Sequence, residues 1–299
     1  QGRMLPHEHT RGDREEQLTR YLESVRASSS PVGLAYAGQA KISTHLDEVM
    51  ETEPLLDFFT DDRVRQMLWQ VSDPERIMQL QHDFSKIGTT YITDGHHRAA
   101  AGEKFVARQI RAGQILSLDA GWAQLLTLLV PLEDLRLLSH NRYVRHPNRF
   151  DQGAFLCALS GVVAVEKIQS ETIAQTGPTR YGQFVMLLGG ESYRLDIDRA
   201  RLPSELATNL DVSLLQKQIL APLLNIRDPR TDSRLGFLSG ELGLAGLRAC
   251  CDKASDVGFV CFPPTVEQLT SVADNRQVMP PKSTNFVPKA RSGLFVRMF

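Results

Sequence analysis

The sequence has no apolar run near the length of a membrane span; the longest, Leu125 to Leu132, suits a buried strand or a short helix. It has no excess of charge either. With 34 Lys and Arg against 35 Asp and Glu, the net charge is −1, and the basic surplus of a general nucleic-acid binder is missing. Cysteine is sparse. Cys157, Cys250, Cys251 and Cys261 form no CxxC pair, so a zinc site is not expected; reduced thiols in a cytoplasmic protein are. No signal peptide, repeat of solenoid or propeller period, or low-complexity tract is visible. Hydrophobic residues at 42% and charged residues at 23% are ordinary for a globular chain, and 299 residues suffice for one large domain or two ordinary ones. Gln1-Gly2-Arg3 ahead of Met4 read as a tag remnant, which makes Met4 the expected native start.

What is present is concentrated in one turn. Thr90-Tyr91-Ile92-Thr93 alternates and is rich in β-formers, so a strand is predicted there. Ala99 to Ile110 is mostly helix-forming. Between them stands Asp94-Gly95-His96-His97-Arg98. Gly95 permits a tight turn or a close backbone approach to a ligand. The helix that follows offers unpaired N–H groups and a positive dipole end. Arg98 adds a planar, permanent charge suited to phosphate, and the histidines and aspartate add titratable and metal-binding groups. The expected ligand of such a turn is a phosphate or another anion.

Around it, the pattern predicts an α+β fold in two units. Residues 4–115 carry helices over Gly12–Ala27, over Ser43–Val49 with a hydroxyl cap, and from Asp73-Pro74 to Lys86, plus a strand over Pro31–Ala37. Residues 116–299 begin with a β-rich middle: a buried strand over Leu125–Val130 and a hairpin of Gln183–Leu188 with Glu191–Ile197, with a helix over Phe150–Leu159 between them. A mixed C-terminal part follows, with a helix over Asp211–Leu224, a strand at Phe259–Phe262 and a capping box at Thr265 and Gln268. Met279 to Lys289 is rich in proline, lysine and hydroxyls, and so reads as a stiff loop.

The Asp94–Arg98 turn resembles the phosphate-binding turn of the ParB/sulfiredoxin-like superfamily. Within it the chain looks like the domain-of-unknown-function family ten-fifteen, which is similar to free-serine kinases. The likeness starts at His7-Glu8-His9-Thr10 and continues through Ser30-Pro31-Val32, Tyr91–Arg98, Asn141-Arg142-Tyr143-Val144, Leu210–Leu215 and Met279–Lys289. Ala99 departs from the family's usual aromatic at that position, and the family's sizeable segment before the His-Glu block is not in this sequence. The resemblance implies a ParB/sulfiredoxin-like core completed by the C-terminal region. It implies a kinase that uses ADP or ATP with Mg²⁺ to phosphorylate a small amino acid, free L-serine in the first instance.

On this likeness, Gly95, His96, His97 and Arg98 form the nucleotide-phosphate cradle. Asp94 holds Mg²⁺ and belongs, with Glu8 and His97, to the catalytic set. Glu8 is the base for the acceptor hydroxyl. Arg142, in a basic block with His140 and Asn141, meets a substrate carboxylate, and Lys282, Ser283 and Thr284, with Lys289, clamp the substrate. Each has a plainer alternative: a capped turn with Arg98 paired, an exposed Glu8 at an N-terminal end that frays, a solvated loop at Arg142, and a structural strap at 279–289. Beside the kinase stand two other functions, a non-catalytic nucleotide-binding or partner-binding protein and, least favoured, a ParB-type DNA binder. No membrane association is expected.

Overall fold

The computed structural model describes residues 3–117, 120–145, 150–169, 177–198, 210–251, 253–287 and 289–299; Gln1, Gly2 and Pro288, named above, lie outside them. The fold is α+β, built on two main sheets. In the smaller sheet, Thr90–Asp94 lies between Met4–Leu5, to which it is parallel, and Val32–Tyr36, to which it is antiparallel. Thr127–Pro131 completes this sheet, parallel to Val32–Tyr36. The larger sheet is antiparallel, in the order 164–167, 191–196, 183–188, 257–261, 140–144 and 235–239. Among the described residues no helix is long and apolar enough to cross a membrane.

Apolar pattern explains the larger sheet. Gln183–Leu188 is buried along its whole length. Phe184, Met186 and Leu188 face the main core with Leu215, Ile219 and Phe259, while Val185 and Leu187 face Leu244 and Leu247 on the other side. A strand covered on both faces reads as a continuous apolar run rather than an alternation. The segment Asp211–Leu224 is helical throughout, with one π turn at Gln216–Leu220, and Leu214, Leu215 and Ile219 are buried in that core.

Local signals held where they were local. Asp73 accepts from Arg76 N at 3.1 Å and Pro74 opens the helix Pro74–Ser85. Thr265 and Gln268 close a complete capping box. Three expectations change. The helix predicted over Ser43–Val49 runs Ala40–Met50 from an N-cap, Gln39, whose side chain makes no capping bond. Ser43 and Thr44 sit inside it and bond back to Gln39 O and Ala40 O, the alternative use of a hydroxyl in a helix. The Thr127–Pro131 strand is half-buried, an edge of the smaller sheet, so the sheet that carries the signature turn draws a strand from beyond residue 115. The N-terminal end is held: Met4–Leu5 pairs in the sheet and His7 is fully buried.

The C-terminal segments pair back onto earlier parts of the chain. Asn285–Val287 pairs with Arg136–Leu138, and Arg297–Met298 pairs with Ala27–Ser28. Phe286 packs in the main core, and Phe299 lies 5.5 Å from the Phe105 ring.

Candidate active site

The strand Thr90–Asp94 delivers its last residue to the edge of a cavity of about 510 Å³. Gly95 then turns the chain with φ 87° and ψ 30°, serves as N-cap, and starts the helix His96–Arg111 three residues earlier than the composition alone predicts. Only glycine suits this corner, for two reasons. The φ is left-handed, and a Cβ would stand 2.6 Å from Arg98 Nε. The guanidinium of Arg98 folds back over the turn, where Nη2 meets Asp94 Oδ2 at 2.5 Å. Arg98 Nε is buried with no hydrogen-bond partner. The corner therefore combines a helix N-terminus, a cation and an unused donor, which is the chemistry of an anion site.

His96 is buried beneath the corner. Its Nε2 accepts from His7 N at 3.4 Å, and the two rings meet edge to face with centroids 4.5 Å apart. Burial lowers the His96 pKa to about 4, with Asp94 pulling the other way, and burial together with His96 lowers His7 to about 3. Both rings are neutral near pH 7. His97 lines the cavity, but its Nε2 accepts from Arg11 N at 3.0 Å, so one ring nitrogen is committed to the start of the helix Gly12–Val25.

Glu8 lines the same cavity. Burial raises its pKa, the positive charge of Lys282 opposes that rise, and Asp94 adds to it. A carboxylate raised by burial yet faced by a lysine is a better proton acceptor than a solvated one. Lys282, Thr284 and Lys289 complete the wall with His140, whose pKa falls to about 4 through burial and the positive charge of Lys282, Arg142 and Lys289. Lys282 has φ 55°, a left-handed backbone unusual for a residue with a side chain.

The other expected substrate residues have structural positions. Arg142 does not line the cavity. It is buried, donates to His140 O at 2.7 Å and to Lys282 O at 3.1 Å, and lies over the Phe237 ring. Its guanidinium thus holds the loop that carries Lys282, where a direct contact with a substrate carboxylate was expected. Ser283 is also buried and donates to Pro280 O at 2.6 Å. Thr284 Oγ1 lies 3.1 Å from His7 Nε2, and Met279 N donates to His7 O at 2.8 Å. Ser30 and Leu18 join the wall as well. Ser30 belongs to the Ser30-Pro31-Val32 block, so a signal existed; Leu18 reads in sequence only as part of an apolar helix face.

A family model, protein of unknown function (DUF1015), matches residues 1–213. The chain belongs to this family. The matched segment holds Glu8 and the whole Asp94–Arg98 turn, while Lys282 and Thr284 lie beyond it. No curated protein matches. Among solved structures, this DUF1015 member is similar to SbnI with C-terminal truncation from Staphylococcus aureus, at 10% identity and TM-score 0.49, covering 99% of this chain and 84% of that one. It is similar to a free serine kinase in complex with AMP at 15% identity and TM-score 0.44, covering 97% and 88%. A conserved hypothetical protein from Pyrococcus furiosus stands at 15% identity and TM-score 0.41, covering 97% and 91%. TM-scores below 0.5 leave family membership resting on the sequence match.

Proposed function

We propose that this DUF1015 chain is a nucleotide-dependent kinase that phosphorylates the hydroxyl of a small amino acid, free L-serine first, with ADP or ATP as donor. The observation that carries the reading is the juxtaposition, around one cavity, of the Gly95 corner with its unused Arg98 Nε and the half-buried carboxylate of Glu8. Phosphoryl transfer asks a protein mainly for positioning and charge neutralisation. The amides of His96 to Arg98 and the guanidinium hold phosphoryl oxygens. Glu8 accepts the proton of the attacking hydroxyl. Lys282 and Lys289 provide positive charge for the acceptor's carboxylate, and Arg142 keeps the Lys282 loop in place.

Mg²⁺, which the family resemblance implies, fits the residues present. Among the described residues no cluster of three metal-ligating side chains exists, and Mg²⁺ characteristically takes only one or two protein carboxylates with phosphate oxygens and water. Asp94, with Glu8 near enough to feel its charge, is the carboxylate that would hold it, and the ion would neutralise phosphate charge.

A second reading has its own support. Asp94 already pairs with Arg98, and His97 already caps a backbone N–H, as expected of a turn retained for nucleotide binding without chemistry. One experiment separates the two: phosphoserine formation from serine with ADP or ATP, alongside ADP titration, for the wild type, Glu8→Gln and Arg98→Ala. A kinase loses turnover in both variants but keeps ADP affinity in Glu8→Gln. Folded wild type that binds ADP yet turns over no hydroxy-amino acid would leave the non-catalytic binder.

A further inference from the structure

Away from the cavity, large apolar side chains that face water cluster in one short stretch. Leu55, Leu56, Phe58, Phe59, Val64 and Met67 are all exposed. They form or flank a hairpin of Leu56–Phe59 with Arg65–Leu68, and among the described residues no third strand pairs with either. Two strands alone are marginal in water, and open edges beside exposed apolar side chains favour association. The hairpin is nonetheless fixed. At its tip Asp62 pairs with Arg291 at 2.7 Å, and at its base Trp69 Nε1 donates to Thr52 O at 2.9 Å. An apolar face already held in place loses little freedom when it is covered.

The register decides which side chains share a face. Asp57 lies opposite Met67 and Phe59 opposite Arg65, so these four stand on one side of the hairpin. All four are exposed, Phe59 at 69%, whereas Gln66 and Leu68 on the reverse side are half-buried. The two apolar residues occupy one diagonal of the quartet. The two charges occupy the other, where Arg65 Nη2 meets Asp57 Oδ2 at 2.6 Å. That pattern is its own complement. A two-fold axis along the Phe59–Met67 diagonal lays Phe59 on Phe59 and Met67 on Met67, and it sets each Asp57 against Arg65 of the second copy. Leu55 and Val64, next to the strands in sequence, add to the apolar area. The same pattern argues against other occupants: one arginine balanced by one aspartate offers no basic surplus to an anionic lipid surface and no net charge to an acidic or basic peptide. We infer that this face of the hairpin binds the same face of a second copy of the chain, giving a symmetric dimer.

Analytical ultracentrifugation of the full chain over a concentration series tests this, with circular dichroism to check folding. The wild type should be a dimer that dissociates on dilution. Phe59→Glu should raise the dimer dissociation constant by roughly tenfold or more, because a central aromatic contact is lost. The charges give a second test that a merely unfolded variant would not pass. Asp57→Arg and Arg65→Asp should each be monomeric alone, since like charges then meet across the axis. An equimolar mixture of the two should associate again as a heterodimer. A wild type that stays monomeric into the hundred-micromolar range, or that instead floats with phosphatidylcholine vesicles, would overturn the inference. So would a dimer indifferent to Phe59→Glu and to both charge reversals.

Discussion

Gly95 and Glu8 do most to define the site, and each makes a residue-scale prediction. Gly95→Ala must place a Cβ at φ 87° and within 2.6 Å of Arg98 Nε. The strain should cost about 1–3 kcal/mol in urea denaturation, and the displaced guanidinium should abolish ADP binding. Replacing Ala99 by Gly would weaken the helix without touching the corner, and should leave ADP affinity near wild type. For Glu8, burial raises the carboxyl pKa, so the basic form is lost at a higher pH than for a solvated glutamate. The acid limb of kcat for serine phosphorylation should therefore lie above the ordinary carboxylate range. A limb at or below that range would remove Glu8 as the base.

At the scale of elements, the loop 279–285 is the part on which the site depends most. Arg142 supports it by donating to Lys282 O and His140 O from a buried position. Arg142→Leu leaves those carbonyls without their charged donor. It should lower stability by about 2 kcal/mol and raise the acceptor KM more than it lowers ADP affinity, as steady-state kinetics and titration would register. This arrangement also shows where reading the sequence stops. Caps at Asp73 and Thr265 were legible because donor and acceptor lie within one turn. The Gly95 corner was legible because turn, charge and helix start are contiguous. The direction of the Arg142 side chain was not, because it depends on which distant carbonyls arrive beside it. The partner of Thr127–Pro131 was hidden for the same reason: strand choice is a long-range decision, and a short apolar run fits either sheet.

Across the whole molecule, buried titratable groups set the response to pH. His7, His96 and His140 have folded pKa values lowered to about 3, 4 and 4 from 6.5 by burial. Unfolded chains therefore bind protons more readily, and the stability these residues contribute is complete above pH 6.5 and is lost as pH falls toward 4. Asp211 acts in the opposite sense. Its carboxylate accepts from Gly182 N at 2.9 Å, and burial raises its pKa from 3.8 to about 7, so its contribution is full below 3.8 and is lost as pH rises through 7. With three groups against one, urea denaturation should show stability rising from pH 4 to 6.5. Asp211→Asn keeps an oxygen for Gly182 and should gain on the wild type at pH 8 relative to pH 4. A constant difference across that range would show that Asp211 does not titrate as its burial demands.

His7 and Thr284 meet at 3.1 Å across 277 positions of sequence. On a ribosome, His7 emerges long before its partner exists. A nascent chain halted before Thr284 can form the Asp94–Arg98 turn but not the room around it, so nucleotide capture should begin only when synthesis has passed that threonine.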